Sequence, residues 1–308
     1  MSTSGSVTAA NVHASISHKA RRALAPYPYQ ALTIIFLAML MVVPIITVVR
    51  YSLLDNAIMS RHPSFVGLQN YLTVLTDDTF WTAVTNTLYF TVLSVVFHLL
   101  IGMCFALLLN SPVINPVIRS ILRVFFIMPW VFTATIIAII WRLLLDPLGI
   151  INYVLQAVDL MKGNHGWFSS PEAAMQALVF VNIWAGYPFY MVSLLAGLQG
   201  IPNELYEAAT IDGANEPQKF RHITVPQLMP IILSIAMLDF IWTMQIFALV
   251  WMTTGGGPIH ATEVLGTFTY KLAFSTYRFS VASASAVVIL LLSMSVAFFY
   301  VRQQRARG

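Results

Sequence analysis

Apolar residues in this chain gather into long runs divided by short polar intervals. Six of the runs reach the roughly 20 residues that a helix needs to cross a hydrocarbon core. They lie at about 30–50, 83–109, 121–145, 173–199, 231–253 and 281–301. The first is too long for a signal-peptide core and no small-residue cleavage site follows it, so it too is read as a span. Pro44 should kink that helix, Pro129 lies inside the third run, and Gly186 with Pro188 interrupts the fourth. Between the runs lie a polar loop over 51–82 and a mixed loop over 146–172, which holds the amphipathic piece INYVLQAVDLM and turn material from Gly163 to Pro171. Another loop starts at Thr254-Gly-Gly-Gly-Pro258, which stops the fifth run.

Composition turns this pattern into an all-α integral membrane protein. The chain is 58% hydrophobic and 9% charged, against about 25% charged in soluble domains. A soluble core could not hide that much apolar side chain, so most of it faces lipid. The net charge of +4 is modest and no basic stretch is interleaved with aromatics, which excludes nucleic-acid binding. The single cysteine, Cys104, lies in an apolar run, so there is neither a disulfide framework nor a cysteine metal site. Residues 1–29, rich in Ser, Thr and Ala with Lys19, Arg21 and Arg22, read as a disordered cytoplasmic tail before a membrane domain over 30–303.

Lysine and arginine set the orientation. With both termini inside, ten of them face the cytoplasm: Lys19, Arg21, Arg22, Arg119, Arg123, Lys219, Arg221, Arg302, Arg305 and Arg307. Six face outward: Arg50, Arg61, Arg142, Lys162, Lys271 and Arg278. The excess inside also places the longest enclosed polar interval, Glu204–Pro230, on the cytoplasmic side.

That interval carries four acids, one lysine and one arginine. Leu205, Ala208, Ala209 and Ile211 give it an apolar edge, Gly213 breaks it, and Phe220 and Ile223 resume the edge before Pro226. The pattern predicts short helix, turn, short helix. Such a structured loop in a membrane protein calls for something outside to dock on it. Glu204 and Asp212 read as its solvated face.

The fifth run contains Asp239, and a carboxylate inside a span costs at least about 2.5–3.5 kcal/mol unless it meets a cavity or a partner. Asp239, Trp242, Thr243 and Ile246 share one helix face by their i, i+3, i+4, i+7 spacing. An acceptor, an aromatic plane and a hydroxyl on one face suit the hydroxyls and the apolar ring face of a sugar. The alternative is that Asp239 pairs with a neighbouring helix and holds the bundle together. Asn182, Gly186 and Phe189 repeat the same spacing on the fourth run, where Pro188 cannot donate to the carbonyl of Trp184 and leaves a polar group in need of a partner. Tyr187 and Tyr190 read as interface or packing residues, and His98, inside a span, as a hydrogen-bonded core histidine. No catalytic or metal-ligating set is expected: there is no HExxH, and His260 and Glu263 share a loop with no further ligand nearby. Nor does a P-loop occur, since none of Lys19, Lys162, Lys219 and Lys271 is followed by Ser or Thr.

The polar interval carries a recognisable spacing: Glu207-Ala208-Ala209, three residues, Gly213, nine residues, Ile223, one residue, Val225-Pro226. It resembles the EAA loop of the permease subunits of binding-protein-dependent ABC importers, with Val225 where the family has leucine. Three further segments, VGLQNY at 66–71, NIWAGYPFY at 182–190 and the Thr254–Pro258 region, are similar to segments of carbohydrate permeases of the maltose type. The resemblance implies a six-helix permease of the type I ABC importer fold in the bacterial inner membrane. Glu207, Ala208, Ala209 and Gly213 would dock on a separate ATPase, and Asn182, Gly186, Phe189, Asp239, Trp242 and Thr243 would line the path of a sugar. It further implies a second, related permease, two ATP-binding subunits and an extracytoplasmic solute-binding protein. ATP and Mg would sit on the ATPase, with no cofactor on this chain. Maltose-type subunits with two extra helices and a large outer insertion differ from this chain, so shorter loops would have to meet the binding protein. Two rival readings come from other classes. A secondary transporter could use Asp239 for ion coupling, but no inverted repeat is apparent and the polar loop would go unexplained. A membrane enzyme would need clustered His, Asp or Glu within the spans. Within the importer reading, glycerol phosphate or a polyol is the alternative cargo, although Asp239 disfavours an anion.

Overall fold

The structure, a computed structural model, describes residues 26–305; the expected tail lies mostly outside them. Among the described residues there is no strand beyond one antiparallel bridge, Leu54 to Phe65. The helices are α1 (Pro26–Ser52), α2 (Gln69–Leu75), α3 (Asp78–Asn110), α4 (Pro116–Val131), α5 (Ala134–Leu144), α6 (Ile150–Ala157), α7 (Pro171–Gln199), α8 (Asn203–Ile211), α9 (Glu216–Lys219), α10 (Val225–Met244), α11 (Ala248–Thr253), α12 (Leu265–Tyr270) and α13 (Phe279–Arg305). Among the described residues five stretches are long and apolar enough to cross a membrane, α1, α3, α7, α9–α10 and α13, and the bent pair α4–α5 makes a sixth.

Packing centres on α3 against α7, the most extensive helix contact. Small residues let the backbones approach: a Cβ at Gly102 would overlap Tyr190 of α7, and one at Gly186 would overlap the His98 ring of α3. Two apolar clusters share this pair. One joins Phe90, Ile137, Trp141, Leu178 and Val250; the other joins Leu109, Tyr190, Leu194 and Leu228. A third gathers Val74 and Phe80 with Phe268 and Val281. By contrast, α1 buries none of its apolar window and packs mainly on α13, as a helix facing lipid does. It runs through Pro44 without a break in the helix.

Two expected spans differ from the structure. The third run is two helices bent by 100° at Phe132 and Thr133. Pro129 withholds a donor from the turn before it, Phe132 and Thr133 are extended, and Thr133 Oγ1 caps α5 by accepting from Ile136 N. The fifth run also breaks, at Gln245–Phe247, so 248–253 forms a separate short helix. At its other end it extends farther than its apolar residues do. A π-helical turn over Phe220–Thr224 joins α9 to α10, with Val225 N donating to Phe220 O, and carries the helix past Pro226, which has no N–H for an α ladder.

Asparagine side chains staple the loops that follow α1, flank α6 and precede α12. Asn70 Nδ2 donates to Ser52 O and Leu54 O; Asn152 Nδ2 donates to Asp146 O, Pro147 O and His165 O; Asn86 Nδ2 reaches Glu263 O at 3.0 Å. Each satisfies carbonyls that a loop cannot pair within itself.

Candidate coupling loop and membrane cavity

The polar interval folds as two helical arms around a tight turn. α8 ends in a left-handed residue, Gly213 at φ +80°, with Gly213 N bonded to Thr210 O and Ala214 N to Ala209 O. That paired geometry closes a helix C-terminus and favours glycine. Asn215 then opens α9 with a reciprocal cap: its Oδ1 accepts from Gln218 N at 3.0 Å while Gln218 Oε1 accepts from Asn215 N at 2.8 Å. Tyr206 Oη and Thr224 Oγ1 meet at 2.9 Å and brace the arms.

Glu207 and Ala208 are exposed and Ala209 is half-buried. Ile211 projects with 87% of its surface free, and Leu205 and Phe220 are exposed as well. Between the arms lies a groove of about 320 Å³, floored by Ala209, Gly213, Gln218, Lys219 and Ile223. The loop thus presents exposed apolar residues, one exposed carboxylate beside two alanines, and a groove.

α10 runs from this loop into the membrane domain and brings Asp239 to the α3–α7 contact. Asp239 is 8% exposed and bonded on every side. His98 Nδ1 lies 2.8 Å from its Oδ2, Tyr190 Oη donates to the same oxygen at 3.0 Å, and Thr243 Oγ1 donates to Oδ1 at 3.1 Å. The other ring nitrogen of His98 lies 2.9 Å from the Asn182 carbonyl oxygen. Gly186 supplies the space for that ring.

Of the six residues expected along the path, Asn182, Gly186, Asp239, Trp242 and Thr243 line one cavity of about 300 Å³. Phe189 stands beside it, 5.8 Å from Trp242 and 6.1 Å from Trp130 between ring centres. Trp242 is 57% exposed, and Asn182 Nδ2 is buried with no hydrogen-bond partner among the described residues. Asp239 therefore both lines the cavity and ties α10 to α3 and α7. Sequence reasoning placed His98 in the core without its aspartate, and it missed Trp130, whose only signal was its position next to Pro129. Neither Lys nor Arg lines the cavity among the described residues.

The loop that starts at Thr254 closes on a second polar cluster. Glu263 is fully buried, pairs with Lys271 and lies 3.2 Å from His260 Nδ1. Thr262 Oγ1 bonds Thr254 Oγ1 at 2.7 Å and donates to Gly257 O at 2.6 Å.

The profile of a family described as binding-protein-dependent transport system inner membrane component matches residues 98–307. The trehalose/maltose transport system permease protein MalF of Thermococcus litoralis is 33% identical over 288 residues, covering 88% of this chain and 94% of that protein. The sulfoquinovosyl glycerol transport system permease protein SmoG of Agrobacterium fabrum is 33% identical over 277 residues, covering 89% and 88%. Among solved structures, a chain of a bacterial ABC transporter involved in the import of the acidic polysaccharide alginate superposes with a TM-score of 0.82 at 22% identity, covering 94% of this chain and 98% of that one.

Proposed function

Since the chain belongs to the family of binding-protein-dependent transport system inner membrane components, we propose that it is the membrane-spanning permease subunit of an ATP-driven sugar importer. The observation that carries this reading is one continuous helix. Glu216–Met244 begins in the exposed two-armed loop and ends at the cavity, bearing Asp239, Trp242 and Thr243. A helix rises about 1.5 Å per residue, so a push on the loop is delivered roughly 35 Å away at Asp239 without an intervening hinge.

Glu207, Ala208, Ala209 and Gly213 are assigned to docking on an ATPase. Exposed Leu205, Ile211 and Phe220 supply apolar contact area, Glu207 a charge, and the small alanines close approach. ATP and Mg belong to that partner; this chain offers no lysine followed by Ser or Thr for a phosphate loop. Both termini and the loop lie in the cytoplasm, in a multi-pass arrangement across a bacterial inner membrane. In the cycle, ATP binding draws the docked loops together, α10 shifts, and the cavity opens outward to receive cargo from a solute-binding protein. Hydrolysis restores the inward-facing state.

The cargo is a neutral sugar or sugar derivative. Trp242, Phe189 and Trp130 offer apolar planes for the C–H face of a ring, and the unpartnered Asn182 amide offers a donor for a hydroxyl. Among the described residues no Lys or Arg lines the cavity to hold a phosphate, which ranks glycerol phosphate below a sugar or polyol. Family membership sets the ion-coupled transporter aside.

Gentle extraction of the tagged chain from its host tests the reading. Recovery with a second permease and ATP-binding subunits, and ATP-dependent sugar uptake on reconstitution with the binding protein, are expected. Transport by the chain alone without ATP would overturn it.

A further inference from the structure

The His98 ring faces two oxygens at once, and counting hydrogens between them leads to a ligand. Nε2 lies 2.9 Å from the carbonyl oxygen of Asn182, and a carbonyl oxygen only accepts, so Nε2 carries a hydrogen. Nδ1 lies 2.8 Å from Asp239 Oδ2. An ionised carboxylate also only accepts, and Asp239 already receives Tyr190 Oη and Thr243 Oγ1. A neutral histidine beside an ionised aspartate has one ring hydrogen for two acceptor contacts. One of those contacts would then set lone pair against lone pair, in a site where His98 is 2% exposed and water cannot compensate. A second hydrogen must lie between Nδ1 and Oδ2, on the ring as an imidazolium or on the carboxyl as an acid. Both arrangements carry no net charge.

We propose that His98 and Asp239 form a proton-binding site in the membrane core, whose resident proton keeps the pair neutral and clasps α10 to α3 and α7. The proton answers the cost of a carboxylate within a span, because no Lys or Arg stands among the described residues around this cavity to supply the opposite charge. It also decides what Asp239 offers. With three bonds made inside the chain, its carboxyl is a joint between helices, and cargo meets Asn182 and Trp242 instead. Gly186 belongs to the same site, because any side chain there would push the ring off both oxygens. The hydrogen count rests on this chain alone; only the use of α10 as a lever rests on the transport reading, so the two can fail separately.

The test is spectroscopic and uses the assembled transporter in lipid nanodiscs. Histidine is labelled with nitrogen-15 in this chain only, and the His98 signal is identified by its loss in His98→Gln. An infrared difference between the wild type and Asp239→Asn reads the carboxyl, with carbon-13 aspartate labelling of the wild type as the assignment should the variant fail to assemble. We expect either two protonated nitrogens on His98, or one protonated nitrogen together with a protonated-carboxyl band that shifts with the aspartate label. One protonated nitrogen with no such band would overturn the proposal, whatever the transporter carries.

Discussion

Gly186 holds its place because of a ring on the neighbouring helix. Its missing Cβ is the space that His98 occupies, so Gly186→Ala adds one methyl to a closed contact. Overpacking of this kind costs about 1–3 kcal/mol. A lower melting temperature of the detergent-solubilised complex is expected; an unchanged melt would mean that the ring can step aside. Lys271 makes the opposite test, by removal. Lys271→Met leaves Glu263, which is fully buried, with His260 as its remaining side-chain partner. Breaking a fully buried pair on one side costs about 3–5 kcal/mol, and the loss here is smaller because the Lys271 side chain is 31% exposed. The double variant Lys271→Met, Glu263→Gln should recover part of that loss, since the buried charge goes with its partner. Limited proteolysis of the 254–264 loop reads both variants, and equal sensitivity in the single and the double variant would mean that the ion pair does not hold the loop.

The two-armed loop was the most legible element in the chain, because its signals are local. Gly213 marks the turn, and Leu205, Ile211 and Phe220 the apolar edge; each acts within a few residues of itself, whereas the Asn215–Gln218 cap emerged only in the structure. The ends of the spans were less legible. In a membrane, apolarity reports contact with lipid rather than an unbroken hydrogen-bond ladder. Phe132-Thr133 and Gln245-Ile246-Phe247 therefore break helices inside runs that read as continuous. Conversely, α9 and the turn after it are polar, and nothing in a hydropathy pattern joins them to α10. Gly213 and Glu207 separate shape from charge in this element. A Cβ at position 213 meets nothing within 4 Å, so Gly213→Ala tests the backbone alone, at about 1–2 kcal/mol for a left-handed residue. Glu207→Ala leaves the fold of the loop untouched. Both should weaken recovery of the ATPase with the tagged chain, but only Gly213→Ala should speed amide exchange across 205–219. Solute binding by the partner protein should not change in either. Full ATPase recovery with Glu207→Ala would remove the glutamate from the docking surface.

Across the whole molecule, the site depends on partners that no local pattern reveals. Asp239 and His98 are 141 positions apart, and their meeting requires that α3, α7 and α10 converge, which composition and spacing do not dictate. Trp130 was hidden in the same way, since it meets Phe189 on a different helix. The resulting cavity is open on one side, and its rim carries Trp242, Trp130 and Phe132, all exposed. A polar-floored opening of this kind does not suit lipid, unlike α1, whose exposed Leu37 and Ile35 do. In the proposed importer a second permease would complete this opening, and its water content should then follow the transport cycle. Single cysteines test this once Cys104, the native and exposed thiol, is replaced by serine. In the assembled importer, Trp242→Cys should react with a water-soluble maleimide at rates that differ several-fold between nucleotide-free and ATP-trapped states, whereas Leu37→Cys, held against lipid, should react slowly in both. Equal reaction of the two positions in every state would mean that the Trp242 face is lipid surface, and the path would have to be sought elsewhere in the chain.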